Sequence, residues 1–164
     1  MKRLILVRHA KSSWGEPGLA DFDRPLNKRG KRDAPQMGKR LKELGVEPDL
    51  IVTSPAKRAV KTARKVADEL GYQRDQIQLI DILYGAHPDD TMGVVNQFPE
   101  ECDTVMLFAH NPTTTEVVNS LTEFSTDNMP TCACFCAAFN VDSWRDATEG
   151  TGTFVFYEYP KLLG

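Results

Sequence analysis

Apolar residues fall along this chain in short unbroken runs, separated by stretches in which they recur every three or four positions. Leu4-Ile5-Leu6-Val7 is the first run, and strand-like stretches recur at residues 50–52, 77–80 and 104–109, with Gln78 and Thr104 as their polar members. Runs of this length predict strands buried on both faces. Between them, residues 34–44 predict a helix with Asp33 as its cap, Pro35 in the first turn and Gly45 at its end. Residues 56–70 predict a second, with Ala59, Ala63, Val66, Ala67 and Leu70 on one face and Gly71 closing it. Shorter helices are expected over 89–97, stopped by Pro99, and over 113–122.

The last third of the chain reads differently. Residues 132–141 and 153–159 predict consecutive strands around the turn-rich 142–152, pairing as an antiparallel addition at a sheet edge. The second of these offers an edge for further pairing. The pattern as a whole predicts an α/β fold, with a mostly parallel sheet covered by helices on both faces. No repeat, low-complexity tract or linker interrupts it, so one domain is expected over residues 1–164.

Composition narrows the function classes. The 164 residues are 41% hydrophobic and 26% charged, as in soluble globular proteins. A net charge of −3 gives no general electrostatic reason to bind nucleic acid or an anionic membrane. Any phosphate site must be a local cationic cluster. Lys2 and Arg3 before an apolar run suggest a secretory start, but the run stops at Val7 and no small-residue cleavage site follows. No stretch is long enough to span a bilayer, and the expected location is the cytoplasm.

Three of the four cysteines, Cys132, Cys134 and Cys136, alternate along one expected strand, which puts their thiols on one face. Directly alternating cysteines are poor disulfide partners and lack common zinc spacing. Small apolar residues in a reduced interior are the plain reading, with metal or redox chemistry as the alternative.

The candidate chemistry sits at the ends of strands. Arg8-His9-Ala10 follows the first apolar run, and ligands of open α/β sheets bind beyond the strand ends. Arginine offers a planar fork for phosphate oxygens, and an adjacent imidazole can attack phosphorus. Thr53-Ser54-Pro55-Ala56-Lys57-Arg58 follows the second strand and opens a helix, so Arg58 falls in a first turn. Alone it reads as a solvated arginine, as Lys57, Lys61 and Arg64 do. Leu107-Phe108-Ala109-His110-Asn111-Pro112 again ends a strand in histidine. Arg8, His9, Arg58 and His110 therefore meet at one sheet edge, where crowded positive groups call for an anion among them. The conjunction points to a phosphoryl site. No Gly-rich phosphate loop or Walker sequence is present, which argues against nucleotide hydrolysis of the P-loop type.

The stretches LVRHAKS, DRPLNKRG, VTSPAKRAVKTA and FAHNP, in this order from residue 4 to 112, resemble the histidine phosphatase (phosphoglycerate-mutase-like) superfamily. The short chain is similar to its SixA-like branch of phosphohistidine phosphatases. The resemblance implies a three-layer α/β/α fold, with His9 as the nucleophile that forms a phosphohistidine intermediate. It implies that Arg8, Arg58 and His110 hold the phosphoryl oxygens, and that Arg24 reaches the phosphate pocket. A loop charge paired with Asp21 or Asp23 is the alternative for Arg24. No metal or cofactor is implied: arginines beside His9 lower its pKa and leave it a lone pair, and arginine forks stabilise the transferring charge.

The general acid has three candidate answers. Many relatives place a carboxylate after the third strand, where Asp81 matches by its spacing to Tyr84-Gly85. Asp21 and Asp23 are rivals from the loop before Arg24. In the third answer no strong acid is used, because imidazole leaves phosphorus more easily than an alkoxide. His87 reads as a turn residue or a cleft-lining one, and Trp14 as a contact for a docking protein or a cover for its loop.

Four functions follow. The first is a metal-independent phosphatase that takes phosphohistidine from a protein partner such as a histidine-phosphotransfer domain and releases inorganic phosphate. The second is a phosphatase of small phosphomonoesters, such as sugar or nucleotide phosphates. A mutase is less favoured, because a short chain spares few residues to close over an intermediate. A non-catalytic phosphate-binding module would have no need of a nucleophilic histidine.

Overall fold

The computed structural model describes residues 1–163. Strands β1 (Lys2–Arg8), β2 (Leu50–Thr53), β3 (Gln78–Leu79), β4 (Thr104–Ala109), β5 (Cys134–Phe139) and β6 (Thr153–Glu158) form one sheet in the order β3-β2-β4-β1-β5-β6. β1 runs parallel to β4, and β2 parallel to both β4 and β3. β5 is antiparallel to both β1 and β6. The mostly parallel sheet with an antiparallel edge addition is the architecture that the sequence pattern predicts.

Four helices cover the sheet: α1 (Lys28–Glu43), α2 (Lys57–Leu70), α3 (Pro88–Val95) and α4 (Thr113–Leu121). Alternate residues of the central strands enter two separate cores. Ile5, Val7, Met106 and Phe108 pack with Met37 and Leu41 of α1 and Ala63 and Val66 of α2. Leu4, Leu6, Val105 and Leu107 pack on the opposite face with Val95 of α3 and Val117, Val118 and Leu121 of α4. Burial on both sides explains the unbroken apolar runs. Each buried Val, Leu, Ile, Met or Phe among them contributes roughly 1.5–3 kcal/mol of burial free energy before entropy is subtracted. Cys132, Cys134 and Cys136 all lie in the α1/α2 core, where burial pushes their thiols up and keeps them protonated.

The first helix corrects one expectation. It starts six residues ahead of residue 34, with Asn27 rather than Asp33 as the cap; the Asn27 side chain accepts from the Gly30 N–H at 2.9 Å. Pro35 therefore lies inside the helix. Asp33 is buried instead, against Arg29 at 3.5 Å and Arg32 at 3.2 Å. The early turns are mostly charged and solvated, so they carry little apolar signal. The second helix ends as expected at Gly71, in the left-handed conformation (φ 72°).

Gly30 ties α1 to the segment that follows β1. A Cβ there would lie 2.1 Å from the Lys11 carbonyl oxygen, backbone that cannot step aside. Asn27 N donates to the same oxygen at 3.0 Å, so the chain leaving the first strand is fixed by the start of α1. Gly30→Ala should therefore destabilise the protein by about 2–3 kcal/mol. Gly93→Ala, in α3 with nothing within 4 Å of its Cβ, should be neutral or stabilising by up to about 1 kcal/mol. Urea denaturation of the two variants checks this; similar losses would contradict it.

Candidate active site

The parallel register brings the expected residues together. Arg8 lies opposite Ala109, and His9 N donates to the Ala109 carbonyl at 3.1 Å, which sets His9 beside His110. Their ring centroids are 5.1 Å apart. Thr53 lies opposite Phe108 and Ser54 N donates to the Phe108 carbonyl at 2.9 Å, so the start of α2 reaches the same edge. Three neighbouring strand ends thus deliver Arg8-His9, Ser54 and His110, and Arg58 follows in the first turn of α2.

His9 is buried at 7% exposure and its ring is oriented from both sides. Nδ1 lies 2.8 Å from the Ala10 carbonyl, which can only accept, so Nδ1 carries the hydrogen. Nε2 is left with a lone pair, and the Arg58 Nε–H donates toward it at 3.4 Å. Burial, with His110, Arg58 and Arg8 adding positive repulsion, pushes the His9 pKa down to about 3 against the Ala10 hydrogen bond. The imidazole is neutral across the physiological range. Ala10 N donates to Thr62 Oγ1 at 2.9 Å and that hydroxyl donates to the Arg58 carbonyl at 2.7 Å, which couples the His9 segment to α2.

His110 is also held neutral. Burial and then Arg58 push its pKa down to about 4, with Asp21 opposing. Its Nε2 lies 2.7 Å from Ser54 Oγ, while Nδ1 is buried with no protein partner. Arg8 donates from Nη1 to the Met129 carbonyl at 2.8 Å, and its Nε is buried unpaired. Asn111 Nδ2 donates to the same carbonyl at 3.0 Å, so the segment around residue 129 braces both strand ends.

Arg24 and Asp21 reach this cluster from the excursion between β1 and α1. A bridge between Ser12 and Leu26 pins its base. The Asp21 carboxylate accepts from Arg58 Nη2 at 3.0 Å, Arg24 Nε at 3.1 Å and the Tyr84 hydroxyl at 2.8 Å, and its backbone oxygen accepts from Arg58 Nη1 at 2.8 Å. Partial burial works to raise the Asp21 pKa, but Tyr84, Arg58 and Arg24 outweigh it and hold the carboxyl below its ordinary range. The buried Arg24 pairs with Asp21, as its loop-charge reading expects, yet its Nη1 remains without a partner.

The other candidates make no hydrogen bond or ion pair to His9, Arg8, Arg58 or His110 among the described residues. Asp81 sits in a one-turn helix (Asp81–Leu83), exposed, and its side chain makes no hydrogen bond or ion pair among the described residues. Asp23 is exposed as well. His87 caps α3. Trp14 lies over the Arg24 guanidinium at 3.4 Å and is 76% exposed. Among the described residues no three His, Cys, Asp or Glu side chains gather as a metal site. Sequence reasoning missed Tyr84 and Ser54, although both lie in segments singled out for other residues. Their contacts span 63 and 56 positions, and nothing local marks them.

Comparison with known proteins places the arrangement. The model of the histidine phosphatase superfamily (branch 1) matches residues 4–125. The chain belongs to this superfamily. An uncharacterised chloroplastic protein of Arabidopsis thaliana is 32% identical over 160 residues, covering 92% of this chain and 72% of that one. The protein assigned as phosphohistidine phosphatase SixA in Agrobacterium tumefaciens superimposes with a TM-score of 0.81 at 25% identity, covering 97% of this chain and 98% of that one. A protein histidine phosphatase SixA complexed with tungstate gives a TM-score of 0.79 at 23% identity over 99% of both chains, a likeness of fold. This histidine phosphatase superfamily member is thus a phosphatase by class. Among the described residues no helix is long and apolar enough to cross a membrane.

The two depressed histidines make stability depend on pH. Unfolded imidazoles titrate near 6.5. Above that value neither state binds the protons and stability is full. As pH falls toward 4 and 3, the unfolded chain takes up protons that the folded one refuses, so stability is lost. Between pH 7.5 and 5 the wild type should lose about 2 kcal/mol more than His9→Gln. Denaturation at both pH values measures this, and equal losses would contradict a neutral buried His9.

Proposed function

We propose that this histidine phosphatase superfamily member hydrolyses phosphohistidine on a protein partner, with His9 as nucleophile and no metal. The neutral His9, with its Nδ1–H on the Ala10 carbonyl and its Nε2 lone pair beside Arg58, carries the proposal. In this reading Nε2 attacks the phosphorus, the phosphorus–nitrogen bond of the substrate breaks, and the phosphoryl group passes to His9. The substrate imidazole leaves neutral once its other ring nitrogen has taken a proton from solvent. Phospho-His9 keeps its Nδ1–H, so its ring is itself a good leaving group. Water then attacks phosphorus, phosphate departs, and His9 returns neutral.

Arg8, Arg58, Arg24 and His110 would hold the phosphoryl oxygens and offset their charge. The unpaired Arg8 Nε and Arg24 Nη1 favour this, since buried donors require acceptors, and His110 Nδ1 is a third donor when the Ser54 hydroxyl donates to Nε2. Asp21, held as a carboxylate by three donors, is poorly suited to protonate a leaving group. Asp81, exposed and with no side-chain hydrogen bond or ion pair among the described residues, offers no better acid. The arrangement therefore suits imidazole, which needs less protonation than an alkoxide. Structural likeness to the protein assigned as phosphohistidine phosphatase SixA in Agrobacterium tumefaciens supports the same substrate class. A cytoplasmic location belongs to the same proposal.

Without added metal, the wild type should cleave a phosphohistidine peptide far faster than glucose 6-phosphate. His9→Ala should lower that rate by at least about a thousand-fold, whereas Asp21→Asn should keep it within about ten-fold. Faster turnover of the sugar phosphate, or a loss in Asp21→Asn as deep as in His9→Ala, would overturn the proposal.

A further inference from the structure

Beside the phosphoryl site runs a cationic groove that the proposed chemistry does not use. Lys57, Lys61 and Lys65 recur every four residues and so share one face of α2. Lys31 of α1 joins them over a floor of Pro25 and Leu26. None of the four is in an ion pair among the described residues. Asp68, the acid nearest Lys65 in sequence, gives its carboxylate to Arg74 at 2.6 and 2.8 Å. Asp68 still attracts Lys65 at longer range, but four ammonium groups without an ion-pair partner in one groove stand out on a chain of net charge −3.

The groove adjoins the depression lined by Asp21 and Arg24. Lys57 precedes Arg58, and Pro25, which follows Arg24, lines both the groove and the depression holding Trp14, Asp21 and Arg24. That depression has another character: Trp14 is 76% and Leu19 39% exposed there, and Glu16 adds exposed negative charge. A uniformly negative polymer lying along both would be attracted by the lysines and repelled at Glu16. A protein segment can place its charges unevenly and satisfy both.

We infer that Lys31, Lys57, Lys61 and Lys65 dock an acidic segment of the phosphoprotein substrate, lying to one side of its phosphorylated histidine. The inference rests on the reading that the phosphoryl group arrives on a protein. Such rim charges act mainly on encounter and on partner choice, and salt weakens them.

The test uses two synthetic phosphohistidine peptides, one with a run of Asp and Glu beside the histidine and one with Gln and Asn in their place. The wild type should prefer the acidic peptide by about ten-fold in kcat/KM at low salt, and high salt should erase the preference. Lys31→Ala/Lys61→Ala/Lys65→Ala should reduce the preference to about two-fold or less. No preference in the wild type overturns the inference whether or not the triple variant folds. So does a preference that survives in the variant or in high salt. Inhibition by a single-stranded oligodeoxynucleotide as strong as by the unphosphorylated acidic peptide would replace it with a general polyanion site. Turnover of neither peptide alongside turnover of small phosphomonoesters would remove the parent reading, and the groove's role with it.

Discussion

The site depends on the parallel pairing of β1 with β4. That register sets Arg8 opposite Ala109, so the residues beyond the two strand ends, His9 and His110, become neighbours. Pairing of β2 with β4 then places Ser54 against His110 and starts α2 where Arg58 can reach Nε2 of His9. A slip of one residue in β1 would turn its buried faces over and would move His9 away from its partners. Core packing and site geometry are therefore set by the same register. Gly30 contributes from outside the sheet, by letting α1 close against the chain that leaves β1.

Positive charge is the second constraint. Arg8, Arg24 and Arg58 converge on two imidazoles, and burial settles which groups ionise. The guanidinium groups stay charged because arginine holds its proton so firmly, so the histidines yield. Neutrality suits His9 as a nucleophile, because a protonated Nε2 would have no lone pair. Asp21 is the anion the protein supplies to this cluster, braced by Tyr84, whose ring meets Phe22 edge-on at 5.2 Å. It orients Arg58 and Arg24 and, being held ionised, stays out of proton transfer in the proposed reaction.

Much of this was legible in the sequence for identifiable reasons. Strands buried on both faces leave unbroken apolar runs, and the residue after each run lies at the edge where ligands bind, so Arg8, His9 and His110 could be read directly. Arg58 could be placed because a helix start follows a strand end within a few residues. The start of α1 was hidden because its first turns are charged and solvent-facing, while its one close contact is made by a glycine with no side chain to signal it. Tyr84 and Ser54 were hidden because their partners are distant in sequence. Asp81 drew notice by local spacing, which fixes a position along the chain but not the direction in which the turn presents its side chain.

The central claim is that neutral His9 takes the phosphoryl group on Nε2. It is tested most directly by quenching the wild type within its first turnover of a phosphohistidine substrate and locating the transferred phosphoryl group. The account predicts an acid-labile phosphoryl group on His9, bonded to Nε2, the nitrogen left free by the Ala10 hydrogen bond. Phosphorylation at Nδ1, on another residue, or turnover with no covalent intermediate would contradict it.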